Sequence, residues 1–193
     1  MSKIFAYGVI LILITTAPAF ADSEEPVNHT PCPMPADSNR MAPDHAPTPF
    51  SAMEIRDACT EGRTDRYRIA QAGKDTLISV STFRNTEPEG TEFAGHMETP
   101  EGKPLGEPFS SRATWQELQG HASFPAARTV IACETITTPA GTFDCWRYTV
   151  TLTGKNAGAV SVFWFARTLP GPPVRYEKQI NGDTVYRMEK LPS

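Results

Sequence analysis

The side chains best placed to do acid–base chemistry lie in one short run, Thr114 to Pro125 (TWQELQGHASFP). It offers Glu117 and His121 close to Trp115, with Ser123 two residues beyond the histidine. A carboxylate, an imidazole and a hydroxyl in such proximity are the parts of a hydrolase whose histidine takes the serine's proton. The same residues equally describe a helix that ends on a histidine packed beside a tryptophan. Arg175 and Glu177, two apart on one strand face, suit an ordinary surface or cross-strand ion pair as well as a charged site. No G-x-S-x-G, H-E-x-x-H, P-loop or G-x-G-x-x-G occurs, so no catalytic residue is assigned.

Aromatic residues form the unusual concentration. Trp115, Trp146, Tyr148, Phe163, Trp164 and Phe165 are candidates for an apolar or amphipathic ligand cleft, where rings supply contact area and a few polar groups give orientation. The competing account is plain core packing.

Four cysteines, Cys32, Cys59, Cys133 and Cys145, read as two disulfides if the chain is exported. Three pairings are open. Cys133 with Cys145 is favoured, because the two stand almost symmetrically about Pro139-Ala140-Gly141 and directly opposed strand residues have the separation a disulfide needs. Cys32 then takes Cys59. A zinc site is disfavoured: there is no C-x-x-C, and the four histidines are scattered, so no metal ligand is assigned. Nothing implies a cofactor.

Export is expected from the first residues. Lys3 precedes an apolar run, Ile4 to Ile14, and Ala19-Phe20-Ala21 fits a cleavage site, so residues 1–21 read as a signal peptide. The apolar run is short for a membrane span, and no second long one follows, so no stable membrane span is expected after cleavage. Residues 22–49 carry seven prolines and five acids against the single Arg40, the pattern of a disordered acidic tail. Residues 50–193 read as one β-rich domain. The formal net charge of −4 sits mostly in the tail, and the near-neutral domain has no basic footprint for nucleic acid. No protein partner is indicated.

The elements that must position these residues can be read in order. Ser51-Ala52-Met53-Glu54 and Thr114-Trp115-Gln116-Glu117 are capping boxes, predicting short helices over about Ala52–Cys59 and Trp115–Gln119. Strands are predicted over Tyr67–Gln71, Thr76–Phe83 and Glu92–Thr99, with Leu105–Arg112 irregular. Val130 to Leu152 is a hairpin about Pro139–Gly141. On its second arm Trp146, Tyr148 and Val150 share one face, and Cys145, Arg147 and Thr149 the other. Ala159–Ala166 (AVSVFWFA) is apolar on both faces, as a central or cavity-lining strand is. Val174–Ile180 and Thr184–Lys190 form a last hairpin about Asn181-Gly182. The sum is an α+β, mainly β fold: a curved, half-barrel-like antiparallel sheet of about eight strands with two short helices.

The run TPAGTFDCWRYTV, the strand VFWFA and then LPGPPVRYEKQINGDTVYRMEKL resemble a group of secreted bacterial proteins of unknown function. The matching positions are Gly141, Phe143, Trp164, Pro173, Val174 and Glu177, within Thr114–Leu191. That group is similar to the lipoprotein-carrier-like (LolA-like) half-barrels. The resemblance implies a curved antiparallel sheet wrapped around short helices and an apolar cavity, with a lipid or other apolar ligand as the possible occupant. Three functions compete: a non-enzymatic periplasmic or secreted module binding such a ligand, a structural or protein-interaction module of the envelope, and a hydrolase around His121. A cavity lined by Phe163 and Phe165 would favour the first.

Overall fold

In both capping boxes the side chain and the backbone bond reciprocally. Ser51 Oγ accepts from the Glu54 N–H, and Glu54 Oε2 accepts from the Ser51 N–H at 2.8 Å, opening α1 (Ala52–Ala58). Thr114 and Glu117 repeat the arrangement, with 2.7 Å from the Thr114 N–H to Glu117 Oε2, and open α2 (Trp115–Gly120). Both helices start where the spacing predicts, because these bonds satisfy donors that a helix of only two turns would otherwise leave to water. The computed structural model of the protein describes residues 32–192. The signal peptide, its cleavage site and residues 22–31 of the Pro-rich segment lie outside these residues.

The strands are β1 (Thr64–Gln71), β2 (Leu77–Arg84), β3 (Gly90–Glu98), β4 (Pro104–Thr114), β5 (Thr129–Thr138), β6 (Gly141–Thr151), β7 (Ala159–Ala166), β8 (Arg175–Ile180) and β9 (Asp183–Lys190). They make one open antiparallel sheet in the order β4-β3-β2-β1-β9-β8-β7-β6-β5. Two meanders therefore run outward from the pairing of β1 with β9. Strands β4 and β5 stand at opposite edges, so the chain between them must cross the sheet, and α2 is built in that crossing.

One strand more is present than the sequence suggests. The extra strand is β4, which was expected to be irregular. Gly106 and Pro108 interrupt its pattern, most of its residues are exposed, and its register with β3 shifts between Gly95 and Met97. An edge strand of this kind is held by backbone pairing with its neighbour and leaves no apolar alternation to read.

The faces are set by β7. Phe163 and Phe165 point to the inner face beneath the helices, where a buried cluster gathers Phe50, Ile55, Phe83, Trp115, Tyr148 and Phe165. Trp164 and Val162 point outward into a second cluster with Ile136, Cys145, Ala166 and Val174. The centre of the outer face is polar. Glu189 lies between Arg68 (2.7 Å) and Arg175 (2.9 Å), Glu98 takes Arg66 (2.7 Å), and Glu177 takes Arg187 (2.8 Å). These carboxylates are buried by the guanidinium groups laid over them.

The expected disulfides are not the ones formed. Cys32 is bonded to Cys133, while Cys59 and Cys145 are free and buried. The cause is register. Thr138 pairs with Gly141, so the turn holds only Pro139 and Ala140; Cys133 then pairs with Trp146, and Cys145 with Glu134. A shift of one residue puts the two cysteines on opposite faces, beyond bridging. Gly141 adopts φ +133°, a value L residues avoid, which is why the tight turn can hand over to β6 there.

The segment from Cys32 to Pro49 is also not the mobile tail its prolines suggest. It packs as a strap on the inner face. The Ala46 N–H donates to Phe124 O (2.8 Å), the Ala126 N–H to Asp44 O (2.8 Å), and Tyr148 Oη to Pro47 O (2.9 Å). Thr48 is fully buried and is held by Gln119 Nε2 at 3.0 Å. Prolines exclude a ladder but not packing; here side chains and loop carbonyls satisfy the strap's backbone.

Two predictions follow from this arrangement. Non-reducing peptide mapping will recover Cys32 linked to Cys133; a Cys133–Cys145 peptide would contradict the hairpin register. The second concerns acid. Burial pushes the Glu189 carboxyl up, but hydrogen bonding from Arg68 and the charges of Arg175 and Arg68 outweigh it and hold it below its ordinary value of 4.5. The folded state thus favours the ionised form. Its stabilisation is complete above the ordinary value and is lost as pH falls through the lowered one. Melting temperature will fall on acidification below about pH 4.5, and less steeply in Glu189→Gln, whose slope should otherwise match the wild type.

Candidate functional site

Between the inner face and the two helices lies a cavity of about 750 Å³, partly open to solvent. Its walls are aromatic. Phe163 stacks on Tyr176 with ring centroids 4.7 Å apart, Phe165 lies 6.1 Å from Phe163, and Phe83 and Phe93 face each other at 4.6 Å across β2 and β3. Ile55 of α1 and Leu118 of α2 form the lid. Space is left because the inward positions of β2 and β3 hold small residues. Ser79 and Ser81 line the cavity, and Gly95 stands next to Ser81. A Cβ at Gly95 would stand 2.2 Å from Val80 O and 2.6 Å from the Phe109 ring, so glycine there lets Phe109 fold across at the rim.

Of the six aromatic candidates, Phe163 and Phe165 line the cavity. Tyr148 packs behind Phe165, at 5.4 Å edge to face, and its buried hydroxyl is pushed well above the ordinary phenol range by desolvation. Trp146 packs against Phe50 and donates its indole N–H to Pro33 O at 2.6 Å. Trp115 is buried and donates to Glu87 O at 2.9 Å. Trp164 is the exception: it faces the outer side, with the Arg175 guanidinium 5.6 Å from its ring centroid, and cannot touch anything in the cavity. The other cavity rings, Phe50, Phe83, Phe93, Phe109 and Tyr176, were not among the candidates. The sequence signal for them was the alternation Ser79, Ser81, Phe83, in which serines occupy core-facing positions.

The acid–base candidates separate. Glu117 is occupied as the α2 cap, and the Thr114 N–H and hydroxyl hold its carboxyl below the ordinary range. His121 is exposed at the cavity rim. Ser123 bonds not to His121 but to His45 of the strap, at 2.7 Å from Nδ1 to Oγ. No carboxylate ion-pairs with His45 among the described residues, and neither Ser123 nor His45 lines the cavity. Arg175 pairs with Glu189, and Glu177 with Arg187, so these two do not form a pair of their own. Among the described residues no group of three or more His, Cys, Asp or Glu is placed to hold a metal.

No family model matches this chain, and no curated protein matches it. Among solved structures it is similar to a candidate exported protein with a YmcC-like fold from Bacteroides fragilis, at 16% identity and a TM-score of 0.43, over 69% of this chain and 95% of that one. A candidate lipoprotein from Parabacteroides distasonis is similar at 14% identity and a TM-score of 0.43, again over 69% and 95%. Among the described residues no helix is long and apolar enough to cross a membrane.

Cys59 lines the cavity, yet burial pushes its thiol up to about 11, and that of Cys145 up to about 12. The reactive species is the thiolate, so both should resist alkylation by iodoacetamide at about pH 8 in the folded protein and label fully in denaturant. Rapid native labelling of Cys59 would show a cavity wetter and looser than the one described.

Proposed function

We propose that this protein is a non-enzymatic, exported binding module that holds an apolar or amphipathic ligand against the inner face of its sheet. The observation that carries the proposal is the aromatic cavity under the helices. Its volume lies within the roughly 300–1,000 Å³ range of small-molecule sites, and apolar walls with a few hydroxyls are the usual lining of such sites. The secreted proteins that the hairpin and aromatic-strand motifs resemble are similar to the lipoprotein-carrier-like half-barrels, and that similarity favours an acyl chain as the kind of occupant. The disulfide between Cys32 and Cys133 supports an oxidising compartment outside the cytoplasm. The scattered acid–base groups support binding rather than turnover.

The test uses the neutral fluorophore N-phenyl-1-naphthylamine. The wild-type protein should bind it and release it to a competing acyl chain. Ser81→Phe, which fills the cavity, should weaken binding tenfold or more, and Phe163→Ala should weaken it by a similar factor, since one buried ring contributes about 1.5–3 kcal/mol. Trp164→Phe, on the outer face, should leave affinity unchanged. Circular dichroism must show all three variants folded. A wild-type protein that binds no probe would overturn the proposal.

A further inference from the structure

Beside the cavity lies a buried polar cluster that the apolar walls do not explain. Asp65 and Tyr67 of β1 point to the inner face, directly across from Ser81 and Ser79 of β2, which line the cavity. Tyr67 also pairs with Lys190 of β9. Lys190 Nζ is bonded to Asp65 Oδ1 and sits 5.3 Å from the centroid of the Tyr67 ring. Arg63 Nη2 lies 3.3 Å from Asp65 Oδ2, and Arg63 Nη1 reaches Cys59 Sγ at 3.3 Å, on the cavity wall. Tyr67, Asp65 and Lys190 are all under 10% exposed.

Two features of this cluster are unbalanced. First, two cations face one carboxylate, and among the described residues no other carboxylate lies within ion-pair distance of Arg63 or Lys190. Second, Tyr67 Oη has no hydrogen-bond partner among the described residues, although it is buried, whereas Asp65 Oδ2, an acceptor, faces Arg63. An excess buried positive charge and a buried hydroxyl with a free proton both ask for an anionic acceptor. Arg112, the cation at the cavity rim, is by contrast exposed and already paired with Glu87.

We propose that the cavity takes a single-chain amphiphile with an anionic head, such as a carboxylate, and that the head enters first. It is received by the Tyr67 hydroxyl and Lys190 together with the Ser79 and Ser81 hydroxyls, with Arg63 adding charge. The tail then lies along Phe163 and Phe165 toward the rim. This rests on the cavity being a ligand site at all, and the experiment separates the two claims.

Dodecanoate and 1-dodecanol, alike in chain and different in head, are each used to displace N-phenyl-1-naphthylamine from the full exported protein at about pH 8, where the carboxylate is ionised. The acid should bind at least tenfold more tightly than the alcohol. Tyr67→Phe should cut that ratio severalfold, and Lys190→Met should bring it near one. Should Lys190→Met fail to fold, Tyr67→Phe and the double variant Ser79→Ala/Ser81→Ala carry the test. Arg112→Gln should leave the ratio high. If the probe is displaced equally by acid and alcohol, the head-first site is wrong while the cavity stands. A preference that survives Tyr67→Phe but vanishes in Arg112→Gln puts the head at the rim and also overturns it. If no probe binds, both claims fall together.

Discussion

Helices of seven and six residues have to cover the inner face of a nine-stranded sheet. An open antiparallel sheet is stable when one face is sealed from water, and helices this short seal only part of it. Two other devices share the task. The strap from Cys32 to Pro49 covers part of the inner face, and small residues on β2 and β3 leave the remainder as a partly open cavity. On the outer face no second layer is present among the described residues. Arginines laid across Glu98, Glu177 and Glu189 shield the middle strands instead, and the apolar cluster around Trp164 is confined to the end near β5–β7.

The seam between β1 and β9 holds the two meanders together, and ion pairs gather along it. Asp65, near the start of the first strand, meets Lys190, the last residue of the last. Removing one partner of such a buried pair typically costs about 3–5 kcal/mol, because the other charge is left stranded. The seam therefore joins distant parts of the chain and also sets the cluster's charge beside Ser79 and Ser81 of the cavity wall. Stability and the proposed recognition draw on the same residues, which is why a hydroxyl deletion at Tyr67 is a cleaner probe than a charge deletion at Asp65.

Much of this architecture was legible in the residues alone. The capping boxes located both helices, and the alternation in AVSVFWFA separated Phe163 and Phe165 from Trp164 correctly, because local bonding and period decide these features. The strap, β4 and the disulfide were not legible. The strap and the disulfide depend on partners remote in sequence, Thr48 on Gln119 and Cys133 on Cys32, whereas β4 depends on backbone pairing with its bulged neighbour β3. The register at Pro139–Gly141 differs by one residue from the expected one, and that places the two cysteines on opposite faces. The cavity rings on β2 and β3 are not legible in the sequence, because a serine at an inward position looks like weak core until the opposite wall is known. Ser123 stands near His121 in sequence but bonds to His45, which reaches it only when the strap is docked.

The bond between Cys32 and Cys133 also has a mechanical meaning. It is a covalent short cut across a sequence separation of 101 residues. Tension applied through the chain ahead of Cys32 would pass directly to β5, at the sheet edge, and on through the β5–β9 meander. The strap, both helices and β1–β4 would be out of the load path. Pulling from that end would therefore strain one edge of the sheet while leaving the lid over the cavity slack, and the same pull on a reduced chain would peel the strap away first.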